Sequence, residues 1–463
     1  MNLKKLFQPK SIAVVGGYWA DFVVEGNRKL GFKGPVWHIN PTRTKDKKNK
    51  YFRNIDELPS IPDCVYIAVS RDSTVKVIKD FASLGTGGAV CLASRFSETK
   101  SKKGLIKTKE LLKNSGEMPF LGPNCYGFIN YLDRASVWSD QVVDNETKNG
   151  IALICQSGTI GNTISFNHRS LPVGYIISVG NQTCVTIEDV IEYVLNDKRV
   201  TAIGIYAESF TNIELLIKVL EKAKQKKVPV AIVKVGRSKI AAKTILSHTG
   251  SLSGKENIYD TLFKQLGVAR CSTLTELCET LKIFHTVGAL KGNKIAIMGP
   301  SGGDMAMIGD MSEGFAINYS PIPKKIANNL RKVNHKGVII SNPFDLQTYN
   351  WNDPISLKKT FDIMLNADFN LVGLMLDFPN LDECNIVEWE MIVDKFLLSA
   401  KEKNKFAAII TSLPETIPKH LRDKCLKSGV VPLQGLRESL YAIHCSILTG
   451  QAWSKFNLLK VFK

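Results

Sequence analysis

Short apolar, β-branched runs alternate with amphipathic helical stretches along all 463 residues of this chain, and that alternation restricts it to parallel sheets covered by helices. Parallel strands need long crossovers and are buried on both faces, so they read as continuous apolar runs instead of alternating ones. Four such runs, residues 11–15, 34–40, 64–69 and 88–93, make a first, Rossmann-like block. A polar segment at 140–148 breaks the pattern. A second block follows, with strands at 151–155, 202–206 and 228–233 and a helix at 213–226. Strands at 294–298, 371–376 and 406–411 then repeat that plan, by pattern and not by residue identity. The expected fold class is α/β: a Rossmann-like domain at 1–146, then two flavodoxin-like domains at 147–290 and 291–463.

Composition narrows the function classes. With 44% hydrophobic and 22% charged residues, a chain of this length can build several ordinary cores. No apolar stretch reaches about 18 residues, and the N-terminal segment runs into Pro9 without the apolar core of a secretory signal. A soluble, cytoplasmic protein without a membrane partner is expected. The ten cysteines stand singly, with no CxxC pair and no Cys/His spacing for a metal, so neither disulfides nor a metal site is expected. The net charge of +18 would suit a polyanion, yet much of it is lysine spread over helix faces, and no nucleic-acid partner is inferred. One cluster is denser: Arg43, Lys45, Lys47, Lys48, Lys50 and Arg53, opposed only by Asp46.

Ligands of open α/β sheets lie beyond the carboxyl ends of the strands, which directs attention to four turns. Gly16-Gly17 follows the first strand and lets backbone amides approach a phosphate, although a tight turn without a ligand fits it equally well. A nicotinamide dinucleotide is disfavoured, because the second strand ends in Asn40-Pro41 and lacks the acidic residue that holds a ribose hydroxyl. Gly122-Pro123-Asn124-Cys125 reads by itself as a turn, and nothing near Cys125 in sequence would activate its thiol. Gln156-Ser157-Gly158-Thr159 ends a strand and opens a helix, where free amide donors and the positive helix end coincide; it is a candidate phosphate seat. In the fourth place, His248 sits among small residues in Ser247-His248-Thr249-Gly250-Ser251-Leu252. A lone histidine is more often structural, but in such a loop a neutral imidazole can attack phosphorus, given a carboxylate to orient it. Glu208, at a strand end of the same block, is the candidate.

Taken together, these residues resemble the NDP-forming acyl-CoA synthetases, which include the succinyl-CoA synthetase alpha subunit and the ADP-forming acetyl-CoA synthetases. The motifs Ser11-Ile12-Ala13-Val14-Val15-Gly16, Ile39-Asn40-Pro41, Gly122-Pro123-Asn124-Cys125, Gln156-Ser157-Gly158 and Gly180-Asn181 stand in the family's order. So do Lys234-Val235-Gly236-Arg237, Ser247-His248-Thr249-Gly250-Ser251-Leu252 and Asn342-Pro343-Phe344-Asp345. The resemblance implies that His248 carries phosphate, that Glu208 orients it, that Gln156, Ser157, Gly158 and Thr159 hold the transferring phosphoryl group, and that Asn124 lines the acyl and thioester site. It places coenzyme A at Gly16, Asn40, Pro41, Val69, Ser70 and Ala93, with Arg43 or Lys45 near its phosphates.

Two departures from the family stand out. Tyr18-Trp19 replaces a small-residue loop after the first strand; this pair could stack on adenine, close an acyl pocket, or simply pack. No segment remains for an ATP-grasp domain, so ATP/ADP or GTP/GDP and Mg are expected on a separate ATP-grasp subunit of a hetero-oligomer. The rival reading is a CoA- or acyl-CoA-binding module that has lost catalysis.

Overall fold

A computed structural model of the chain describes residues 1–43, 51–241, 243 and 256–454; His248 and Lys45 lie outside them. Its contacts divide the chain into two units, one formed by 1–167 with 172–262 and the other by 168–171 with 263–463.

The first unit holds two sheets. Strands β1 (Ile12–Gly16), β2 (Val36–Ile39), β3 (Tyr51–Phe52), β4 (Cys64–Ala68), β5 (Ala89–Cys91) and β6 (Phe120–Leu121) form the first. All pair in parallel in the order β3-β2-β1-β4-β5-β6, the doubly wound arrangement of dinucleotide-binding domains. The order reverses between β1 and β4, in register from Ile12 against Cys64 to Gly16 against Ala68. Ile12, Ala13, Val14, Val65, Tyr66 and Ile67 are fully buried, as a central parallel strand pair requires.

The second sheet uses β7 (Gly127–Asn130), β8 (Ala135–Trp138), β9 (Gly150–Cys155), β10 (Val173–Ser178), β11 (Val200–Ala207) and β12 (Val230–Lys234). Within the unit they run β12-β11-β9-β10-β7-β8, and the four strands from β12 to β10 are parallel. Counted from β9, that is the flavodoxin-like reversal, with its crevice between β9 and β11. The antiparallel hairpin β7-β8, which pairs with β10, was not foreseen. It precedes the polar segment 140–148 yet belongs to the second sheet, because periodicity reveals a strand but not its partner.

The hairpin also seats the first long helix, Tyr18–Leu30. Buried Asn27 accepts from the Ser136 amide of β8 at 3.0 Å and donates to the Ser136 carbonyl and, at 2.8 Å, to that of Val23. The helix is thereby held against the hairpin, which fixes where its first turn meets the end of β1.

In the second unit, a short strand β13 (Ala269–Arg270) precedes β14 (Ile295–Gly299), β15 (Phe344–Asp345), β16 (Leu371–Met375), β17 (Ala407–Thr411) and β18 (Val430–Gln434). The last five form a parallel sheet in the order β15-β14-β16-β17-β18, which is the flavodoxin order. Its core includes Phe344, Phe361, Met364, Val393 and Phe396, all wholly buried. A buried ion cluster stiffens the unit: Glu279 meets Arg169 at 2.6 Å and Lys282 at 2.8 Å, with both Glu279 and Lys282 inaccessible. Burial pulls the Lys282 ammonium below its ordinary range while the Glu279 carboxylate opposes that shift. Among the described residues, no helix is long and apolar enough to cross a membrane.

Candidate functional site

Because the first sheet is parallel, Gly16, Asn40, Pro41, Val69, Ser70 and Ala93 all come to one edge, the carboxyl ends of β1, β2, β4 and β5. Gly16 of β1 and Val69-Ser70 after β4 flank the reversal crevice. Gly16 has φ +138°, and a Cβ there would lie 2.4 Å from the Ala68 carbonyl oxygen of β4. Its own carbonyl accepts from Asn40 Nδ2 at 2.9 Å and from His38 Nε2 at 2.8 Å. Burial lowers the His38 pKa, and because the Gly16 carbonyl can only accept, the His38 Nε2 carries the proton. Asn40 Oδ1 accepts from the Thr42 amide and hydroxyl, at 3.1 and 2.9 Å. Asn40 is therefore a brace for the turn, buried and bonded at both ends of its carboxamide. Substituting Gly16 by Ala is expected to cost at least about 1–3 kcal/mol from the backbone conformation alone, read as a lowered denaturation midpoint together with weakened ligand binding.

Around this turn the structure adds residues that sequence reading missed. Arg43 forms a two-pronged pair with Asp21, at 2.6 and 3.0 Å, and meets the Tyr51 hydroxyl at 3.4 Å. These partners hold its guanidinium pKa above its usual range. The positive charge near the proposed phosphate position is therefore shared with a carboxylate, which no sequence signal disclosed. A cleft of about 390 Å³ opens here, lined by Tyr18, Phe22, Arg43 and Tyr51 among others. Tyr18 and Trp19 are 65% and 46% exposed and lie edge-to-face at 5.1 Å, so they form a surface aromatic pair and not a core contact.

Ser70 caps the helix Arg71–Ser83 by accepting from the Ser73 amide at 3.3 Å. Asn124, exposed and at φ +59°, donates its amide to the Ala93 carbonyl at 2.9 Å, which ties the Gly122-Pro123-Asn124 turn to the end of β5. Cys125 is buried, and burial pushes its thiol up to about 12, which leaves it inert as a nucleophile.

In the second sheet, Gln156 follows β9 and Glu208 follows β11, so both stand at the reversal crevice. Gln156 Oε1 accepts from the amides of Glu208 and Ser209, at 2.8 and 3.0 Å. Ser157 caps the helix Gly158–Ser165 through the Ile160 amide. A Cβ on Gly158 would lie 2.4 Å from the Tyr126 ring, so only glycine admits this close approach. The amides of Gly158 and Thr159 take no acceptor from the described residues and mark a positive helix start suited to an anion. Glu208 is thus held one hydrogen bond from the candidate phosphate seat. At the foot of β12, Lys234, fully buried in its side chain, pairs with Glu256 at 3.0 Å. Among the described residues no group of three or more His, Cys, Asp or Glu could hold a metal ion.

Comparisons with known proteins bear on these two crevices. The family described as CoA binding domain matches residues 10–131, and the family described as succinyl-CoA ligase like flavodoxin domain matches residues 148–284. An ADP-forming acetate-CoA ligase of Methanocaldococcus jannaschii is 28% identical over 351 residues, covering 74% of this chain and 49% of that protein. The alpha subunit of ADP-forming acetate-CoA ligase II from Pyrococcus furiosus is 28% identical over 358 residues, covering 74% of this chain and 76% of its own length. The chain thus spans about half the length of the first of these relatives. A solved structure of a Korarchaeum cryptofilum dinucleotide-forming acetyl-coenzyme A synthetase shares the fold, at a TM-score of 0.86 and 21% identity over 98% of both chains. A match to the CoA binding domain followed by one to the succinyl-CoA ligase like flavodoxin domain, with ADP-forming acetate-CoA ligases among its relatives, supports placing the chain in the NDP-forming acyl-CoA synthetase superfamily.

Proposed function

We propose that this chain is the CoA-ligating part of an NDP-forming acid-CoA ligase acting on a small carboxylic acid, with phosphate carried on His248. The observation that supports it most is the pairing at the second crevice: Gln156 places the Glu208 backbone beside the open amides of Gly158 and Thr159. In this reading CoA lies along the edge formed by Gly16, Asn40, Pro41, Val69, Ser70 and Ala93. The open space above Gly17 leaves room for a ligand to approach the backbone there. Arg43 and Lys45 supply positive charge for its phosphates, and Asn124 borders the reacting end.

The chemistry runs between two places. In the direction that makes the nucleoside triphosphate, phosphate displaces CoA from an acyl-CoA to give an acyl phosphate. The imidazole of His248 then takes the phosphoryl group and releases the acid, and the phosphohistidine hands that group to a nucleoside diphosphate. The amides of Gly158 and Thr159 hold the phosphoryl oxygens, and Glu208 fixes the second ring nitrogen of His248. The nucleotide and Mg belong, in this proposal, to a separate ATP-grasp subunit in a cytoplasmic hetero-oligomer. The domain division 1–146, 147–290 and 291–463 is part of the same proposal.

Two measurements test the reading. Thermal unfolding with CoA and with NAD should show stabilisation by CoA alone, since a ligand of the native state raises the midpoint. Glu208→Gln should slow phosphate incorporation about 100-fold or more while CoA affinity is retained. An unchanged rate would remove Glu208 from the mechanism.

A further inference from the structure

The turn that carries Asn124 is not held by its backbone alone. The Glu98 carboxylate, in the 3-10 turn Ser97–Thr99 after β5, accepts from the Arg95 amide and, at 3.0 Å, from the Phe96 amide. Its Oε2 also accepts from Asn181 Nδ2 at 2.6 Å. Asn181 Oδ1 in turn receives Asn124 Nδ2 at 3.4 Å, and the Asn181 amide donates to the Pro123 carbonyl at 3.0 Å. All three side chains belong to the first unit.

The direction of this chain follows from its far end. A carboxylate can only accept, so Asn181 must turn its NH₂ to Glu98 and its oxygen to Asn124. Asn124 must then turn its own NH₂ to Asn181. Its Oδ1 receives no donor from the described residues and stays exposed, at a residue whose backbone is tied to Ala93 on the proposed CoA edge. A carboxamide is otherwise free to flip end for end. Here an acceptor two side chains away settles which atom is presented.

We infer that Glu98 and Asn181 are positioning residues that orient the Asn124 carboxamide, so that Asn124 offers its oxygen to a hydrogen-bond donor at the pantetheine end of CoA. That donor is the thiol S–H or a pantetheine amide N–H. The inference rests on the CoA reading above and deepens it, since it names the part of the ligand that Asn124 reads and the residues that make it do so.

Calorimetric titration of CoA tests this on the wild-type chain, on Asn124→Ala, Glu98→Ala and Asn181→Ala, and on the Asn124→Ala/Glu98→Ala double variant. Each single variant should bind CoA about tenfold more weakly, the scale of one lost hydrogen bond. The double variant should be no weaker than Asn124→Ala, because residues acting through one another are not additive. Affinity for adenosine 3′,5′-bisphosphate, which lacks the pantetheine arm, should be unchanged in all of them. Asn181→Ala keeps the Glu98 bonds to Arg95 and Phe96, so it separates the relay from damage to the turn that carries Glu98. Desulfo-CoA divides the two donors: a loss seen only with CoA assigns the thiol, and an equal loss with both assigns an amide. Additive losses, or an equal loss of the bisphosphate fragment, would overturn the inference and leave the CoA reading standing. Failure of the wild-type chain to bind CoA would overturn both.

Discussion

His248→Asn is expected to abolish incorporation of phosphate into the chain from an acyl phosphate, while CoA binding persists. Asparagine keeps a polar side chain of similar reach but has no ring nitrogen with a lone pair to attack phosphorus, so no partial activity should survive. The phosphoramidate formed by the wild-type chain should be labile to acid and stable to base, unlike a phosphoserine. Undiminished labelling of the variant would move the phosphate to another residue. Loss of CoA binding along with labelling would mean that the substitution had disturbed more than the carrier. In our proposal the phosphate is received beside Glu208, which Gln156 braces, and the open amides of Gly158 and Thr159, and the prediction joins them to the loop residue.

Much of the fold was legible because buried parallel strands announce themselves as apolar runs. The helix expected at 213–226 appears as Ile213–Lys226, and the strand expected at 371–376 as Leu371–Met375. What periodicity could not convey was pairing. The β7-β8 hairpin carries ordinary strand residues, and only the three-dimensional structure shows that it extends the second sheet.

The site divides along the same line. Residues at strand ends, Gly16, Gln156 and Glu208 among them, were singled out by that rule, and the roles proposed for them and for Asn124 came from the family resemblance. Their supports were not. Asp21 lies on a helix and Tyr51 on a two-residue strand, and both meet Arg43 from a distance in sequence that no local motif spans. Glu98 stands seven residues after the end of β5, at Cys91, and its bond to Asn181 bridges 83 positions. The bonds of the Asn40 carboxamide to Gly16 and Thr42 were likewise not announced by the sequence.

The second large effect concerns what the chain can do unaided. A phosphohistidine has a purpose only if it can deliver its phosphoryl group elsewhere. In our proposal the nucleotide step belongs to a separate ATP-grasp partner. The purified chain should therefore fail to couple acid, CoA and ATP, and an ATP-grasp subunit should restore turnover from background. Acid-dependent ATP hydrolysis in proportion to the chain's own concentration would place a nucleotide site within these 463 residues.

The most direct test of the central claim omits the nucleotide altogether. The chain alone is mixed with CoA and a panel of short-chain acyl phosphates, and thioester formation is followed against phosphate release. A CoA-ligating part should transfer the acyl group to the thiol, one thioester for each phosphate freed, with neither ATP nor a partner present. Tight binding of CoA with no acyl transfer from any acyl phosphate would contradict that claim and leave a CoA-binding module without catalysis.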